Sequence, residues 1–247
     1  MAIIVFEHTD HVGVGRLGAT LRDYGHRLRI IRPDRGEPLP ADLDDVDGVI
    51  TCGGPQSAND TEAWIGEELA YLRDACDAGL PVIGNCLGSQ LLAKALGGEV
   101  APLDGGIELG WHPITMTDAG RDEVLHTGLP WDMTVLQWHR EQVTQLPAGA
   151  RLLASSRACK AQTWMMGMRV YGFQYMMTVS PPTIEKWIEL EPEALREAGV
   201  SADELREATA RHYQSFERLT QRLFESIALF LMPVDRRIPG VVKDLHH

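Results

Sequence analysis

Short apolar blocks alternate along the first hundred positions with longer stretches whose apolar residues recur every three or four places. Ile3 to Glu7, His26 to Arg32 and Asp47 to Cys52 read as buried strands, and Gly15 to Tyr24 as a helix between the first two. Asn59 to Ala78 follows as an amphipathic helix with acidic residues in its first turn. It stops at Gly79-Leu80-Pro81, ahead of another apolar strand. Strands that are apolar throughout are buried on both faces. The alternation therefore predicts an α/β fold, a doubly wound and mostly parallel sheet with helices on both faces.

Beyond Gly97 the pattern shortens. Ile107 to Thr117, Thr134 to Trp138 and Arg151 to Ser155 are separated by Gly and Pro turns, as expected of antiparallel additions near a sheet edge. Val170 to Met176 is one more strand. Ser180-Pro181-Pro182 opens a helix, and Ser201 to Glu204 is a capping box opening a long one that runs to about Leu231. There are no internal repeats and no linker, so residues 1–235 are expected to form one domain. Residues 236–247 are expected to be a loosely ordered tail, with the terminal pair His246-His247 belonging to it rather than to a metal site.

Composition adds mainly exclusions. With 247 residues, 44% of them hydrophobic, the chain can bury a substantial core. Thirty-five acidic against 23 basic residues give a net charge of -12, which repels phosphate backbones and anionic lipid, so neither nucleic acid nor a membrane is an expected partner. The start lacks a basic n-region and a small-residue cleavage site, and a cytoplasmic location is expected. Cys52, Cys76, Cys86 and Cys159 form no Cys-x-x-Cys pair, which argues for reduced thiols, mostly packed in the core.

The segment that points to chemistry runs from Leu80 to Gly97. It drives a strand into a helix through a turn that presents Cys86 between Gly84 and Gly88, the pattern of a nucleophile elbow. Neighbours without Cβ permit the sharp corner, and the helix start beyond it turns N–H groups toward the sulfur. Thr51-Cys52-Gly53-Gly54-Pro55 ends the third strand near the same crevice. An N–H from that loop, with that of Leu87, would form an oxyanion hole, each donor worth on the order of 3 kcal/mol in a transition state. The plainer reading of Gly-Gly-Pro alone is a turn.

Several motifs then agree in order and spacing. Gly53-Gly54-Pro55, the elbow Gly84 to Gln90, Glu108-Leu-Gly-Trp-His112, Gln137-Trp-His139, Ala154-Ser-Ser156 and Tyr171-Gly-Phe-Gln-Tyr175 resemble class I glutamine amidotransferases over residues 45–190. Within that family the chain looks most like the stand-alone, GMP-synthase-like members. The resemblance implies a flavodoxin-like architecture without a cofactor, in which a cysteine attacks the side-chain amide of glutamine and a glutamyl thioester releases ammonia. It implies Cys86 as nucleophile, Gly54 and Leu87 as oxyanion donors, and Gly53, Gln90, Trp138, His139, Arg140 and Glu141 around the substrate. The implied partners are glutamine or another γ-glutamyl small molecule and a synthase protein.

One departure dominates. Where the family continues His-x-Glu after the last strand, this chain has Met176-Met177-Thr178. A thioether takes no proton at neutral pH, and a threonine hydroxyl cannot replace the glutamate that orients the histidine. Glutaminase activity is therefore expected to be absent or very weak. The competing expectation is an active hydrolase or transferase of a γ-glutamyl compound in which His8, His11, His112 or His139 serves as the base. A second departure is Arg140 in place of a small glycine, followed by Glu141 where aspartate is common; the guanidinium either fills the pocket or recognises a different carboxylate. Met165, Met166, Met168, Met176 and Met177 read as core filler, and no metal is expected.

Overall fold

The computed structural model describes residues 1–232, so the tail expected over 236–247 lies outside the described residues. The chain begins β1 (Ala2–Phe6), α1 (Gly15–Asp23), β2 (Leu28–Ile31), β3 (Val46–Thr51), α2 (Ala63–Asp77), β4 (Val82–Asn85), α3 (Leu87–Ala95). It continues through β5 (Glu99–Pro102), β6 (Glu108–Met116), α4 (Asp118–Arg121), β7 (Asp132–His139), β8 (Glu141–Gln145), β9 (Ala150–Ser155), β10 (Thr163–Met166) and β11 (Val170–Phe173). Three helices close it: α5 (Pro181–Leu190), α6 (Pro192–Ala198) and α7 (Ala202–Ser226).

Among the described residues the main sheet has nine strands in the order β2-β1-β3-β4-β11-β10-β9-β6-β7, with β5 and β8 paired separately. From β2 to β11 neighbouring strands are parallel, and from β11 to β7 they are antiparallel. The parallel half carries the doubly wound pattern, and the short segments after Gly97 supply the antiparallel half. Helices α1 and α7 bury Leu17, Leu21, Phe216 and Leu223 in one core, while α2 and α3 bury Ile65, Leu72, Leu91 and Leu92 in another. No helix among the described residues is long and apolar enough to cross a membrane.

Register positions the site. Phe173 pairs with Asn85 and Thr51 with Gly84, so the C-terminal ends of β3, β4 and β11 lie side by side, and the residues that leave them share one crevice. Strand β11 ends at Phe173 rather than Met176: the Gln174 N–H donates to the Gln162 carbonyl and the Met176 N–H to that of Leu136, which takes the chain out of the ladder. Helix α2 starts at Ala63, not Asn59, with no acid in its first turn. The Asn59 side chain instead donates to the Val100 carbonyl, holding that segment as a loop.

At the elbow Cys86 takes φ 54 and ψ -112, a corner that side-chain-bearing residues rarely adopt. Its glycines are required by close approach. A Cβ on Gly88 would lie 2.0 Å from the Thr51 carbonyl oxygen, and one on Gly84 2.4 Å from that of Gly88. Both obstacles are backbone, so neither can swing aside. Gly88→Ala should therefore lower stability by about 3 kcal/mol or more, read from the urea midpoint. An unchanged midpoint would mean that β3 and α3 are not locked together at this point.

Candidate functional site

Cys86 is 6% exposed and opens into a cavity of about 360 Å³, within the range of small-molecule sites. Burial pushes its thiol up to about 12, with the Leu87 N–H pulling weakly the other way. At neutral pH the sulfur is thus a protonated thiol. Among the described residues its side-chain hydrogen bond comes from Gln174, whose Nε2 lies 3.8 Å from Sγ. Gln174 is held in turn by Gln90, whose Nε2 donates to the Gln174 Oε1 at 3.2 Å and to the Glu141 carbonyl at 2.9 Å.

Hydrocarbon shares this cavity with the sulfur. Met176 is buried and lines the same cavity. Its Cε and the Cys86 Cβ each lie 3.4 Å from where a Gly53 Cβ would stand, and the Val12 Cγ1 lies 3.3 Å from it. Thr178 is turned away and donates through Oγ1 to the Gly13 carbonyl at 3.0 Å. A second cavity of about 270 Å³ lies beyond, bordered by both Met176 and Thr178. Gly53, expected at the ligand, is not in the wall of the main cavity. A Cβ there would be in near-ordinary contact with Val12, Cys86 and Met176.

The histidines expected as alternative bases separate clearly. His8 is buried with Nε2 2.8 Å from Glu68 Oε2, its ring stacked on Trp64, and it does not line the cavity. Burial lowers its pKa, but the Glu68 carboxylate, helped by Asp34 and the Gly53 backbone, raises it overall. His139 borders the cavity with both nitrogens facing oxygens. Nε2 lies 3.0 Å from Glu108 Oε2 and 3.2 Å from Gln137 Oε1, and Nδ1 lies 2.8 Å from the Glu141 carbonyl. A ring so engaged holds the loop and offers no lone pair to Cys86. His112 contacts the Leu109 carbonyl at 2.9 Å and lies outside the wall. His11 is exposed and lines both cavities.

Gly54, Leu87, Gln90, Trp138, Arg140 and Glu141 all border the main cavity with Cys86. Both carboxylate oxygens of Glu141 lie 2.8 Å from the Ser57 hydroxyl, which donates to them. The Arg140 guanidinium is paired with Glu197, its Nε and Nη2 lying 3.0 and 2.9 Å from Oε2. The cap of the cavity was not foreseen. Trp187 and Leu190 of α5 and Glu191 before α6 close it from above, and the Trp138 Nε1 donates to Glu191 Oε2 at 3.2 Å. The Ser-Pro-Pro start forecast the α5 helix but not the face it turns to the site. Of the methionines, Met165, Met176 and Met177 are buried and Met168 is exposed.

The glutamine amidotransferase class-I family model matches residues 15–175. A putative glutamine amidotransferase-like protein of Salmonella typhimurium, YfeJ, is 33% identical over 89% of this chain and 95% of its own length. One component of the glutamine-hydrolyzing GMP synthase of Archaeoglobus fulgidus is 34% identical over 63% of this chain and 78% of its own. Gamma-glutamyl peptidase 5 of Arabidopsis thaliana is 29% identical over 63% of each chain. The fold superposes on the crystal structure of a glutamine amido transferase from Methylobacillus flagellatus with a TM-score of 0.82. That structure is 30% identical and covered over 92% of its length by 91% of this chain.

Proposed function

The chain belongs to the class-I glutamine amidotransferase family, and from that premise we propose that it keeps the nucleophile and the γ-glutamyl pocket but lacks the proton shuttle. Cys86 is the attacking atom, the N–H groups of Leu87 and Gly54 are the oxyanion donors, and Gln90, Trp138, His139 and Glu141 shape the pocket. Arg140 secures the rim to α6. The observation that carries this reading is Met176 packed beside Cys86, with Thr178 bonded to Gly13 instead of to an imidazole.

The chemistry follows from the missing proton transfers. Attack needs a thiolate, and burial keeps Cys86 protonated at neutral pH. Departure of ammonia from a tetrahedral intermediate needs a proton delivered to nitrogen, and the Gln174 amide beside Sγ is far too weak an acid to give one. Loss of a triad member typically costs about 10³ to 10⁶ in rate. The protein then acts by holding its ligand intact, a γ-glutamyl small molecule, or by presenting it to a synthase partner. The similarity to the plant gamma-glutamyl peptidase and to the archaeal synthase component supports those two directions.

Calorimetry tests whether the pocket is kept. A γ-glutamyl dipeptide titrated into the wild-type protein should bind with Kd below about 1 mM and be recovered uncleaved. No binding would mean that the pocket has left this ligand class. One observation favours a second reading: His11 lines the cavity that Cys86 opens into. On that reading the dipeptide is cleaved, and His11→Gln abolishes the cleavage.

A further inference from the structure

We propose that the mouth of the cavity is a subsite for a positively charged amine, so that the ligand is a γ-glutamyl amide whose nitrogen carries a cationic arm. This rests on the γ-glutamyl reading of the site and adds what the far end of the ligand must be. Two buried indoles, Trp138 and Trp187, line the cavity beside its exposed Leu190, with ring centroids 5.2 Å apart and planes at 60°. The Glu191 carboxylate is fixed beside them by the Trp138 N–H. Indole faces carry a negative quadrupole, and paired indoles with a neighbouring carboxylate are the setting in which an ammonium is held best.

The charge balance of the wall points the same way. Glu141 and Glu191 both border the cavity. The Arg140 guanidinium there is already matched by Glu197 at the rim. The lining is therefore net acidic. Leu190, 48% exposed at the same mouth, gives a methylene chain an apolar track.

Glutamine's bare amide would reach Cys86 and leave this end empty. A neutral alkyl arm would cover Leu190 but desolvate Glu191 without supplying a counter-charge, and an anionic arm would be repelled. A short aliphatic arm ending in an ammonium meets all three surfaces at once.

Calorimetry with the wild-type protein tests this with three probes: N-(4-aminobutyl)-γ-glutamylamide, N-butyl-γ-glutamylamide and glutamine. The aminobutyl compound should bind about tenfold more tightly than its butyl isostere, and the gap should narrow as salt is raised. Glu191→Gln preserves an acceptor for the Trp138 N–H and should bring the aminobutyl compound down to the butyl level. Equal or tighter binding of the butyl compound, or a preference that survives Glu191→Gln, overturns the subsite. If none of the three probes binds, the γ-glutamyl reading falls with it; if glutamine and the butyl compound bind as well as the charged one, only the subsite does.

Discussion

Met176→His combined with Thr178→Glu should raise ammonia release from glutamine by about 10³-fold or more over the wild-type chain. The expectation rests on what surrounds the two positions. Met176 lies in the cavity wall beside Cys86, so an imidazole there starts next to the sulfur it must deprotonate. Thr178 borders the second cavity of about 270 Å³, which gives a longer glutamate side chain room once the bond to the Gly13 carbonyl is given up. The two changes should be strongly non-additive. Thr178→Glu alone has no ring to orient and should stay silent, and Met176→His alone should recover only part of the gain because its ring is free to turn. A folded double variant with no activity would mean that the mouth or the Glu141 loop has also moved away from glutamine, and the claim of a kept pocket would fail.

The second large effect is in the reactivity of Cys86 with pH. Its thiol is held near 12 by burial, and only the thiolate is alkylated. At pH 7 about one molecule in 10⁵ carries it. Iodoacetamide modification of Cys86 should therefore climb about tenfold per pH unit through neutrality and level off only near pH 12. The sign is set by the direction of the shift: a raised thiol pKa moves the rise to alkaline pH, whereas a cysteine paired with a histidinium would react at a plateau from about pH 5 upward. Cys159 is also pushed up to about 12, by burial above all, so its thiolate fraction offers no contrast. What distinguishes Cys86 is the open cavity in front of it. A glutamine-like diazo ketone should for that reason label Cys86 ahead of Cys76 and Cys159. A plateau near neutral pH would reveal a base close to the sulfur.

The parallel half of the sheet and the elbow were legible because their signals are local. Ile3 to Glu7 and Asp47 to Cys52 are uninterrupted apolar runs, and Gly84 and Gly88 flank Cys86 at the spacing a strand-to-helix corner demands. Strand β10 was not legible: Thr163-Trp-Met-Met166 is four residues long, too short for any period to show, and it becomes a strand by lying between β9 and β11. The start of α2 was misplaced because the acidic residues around Asp60 resemble a helix's first turn, while the decisive contacts of Asn59 are with Val100 and Lys94, more than thirty positions away.

The site divides along the same line. Cys86, Gln90, Trp138 and Glu141 belong to motifs, and the fold brings them to the wall of one cavity. The bond from Gln174 to the sulfur, the burial of His8 against Glu68, and the cap formed by Trp187 and Glu191 depend on segments brought together by the fold. Sequence spacing carries no trace of them. Among the four histidines, motif order drew equal attention to His112 and His139, and only their hydrogen bonds to backbone and Glu108 remove them as partners for Cys86.

The most direct measurement is ammonia release from saturating glutamine at neutral pH by the wild-type protein beside a Cys86→Ala control. With Met176 beside Cys86 in the cavity wall where the account needs a base, both should give the same trace, indistinguishable from the background of the assay. Turnover of about one per second or more, abolished by Cys86→Ala, would contradict the account, because it would require a working proton relay at a place where Met176 supplies none.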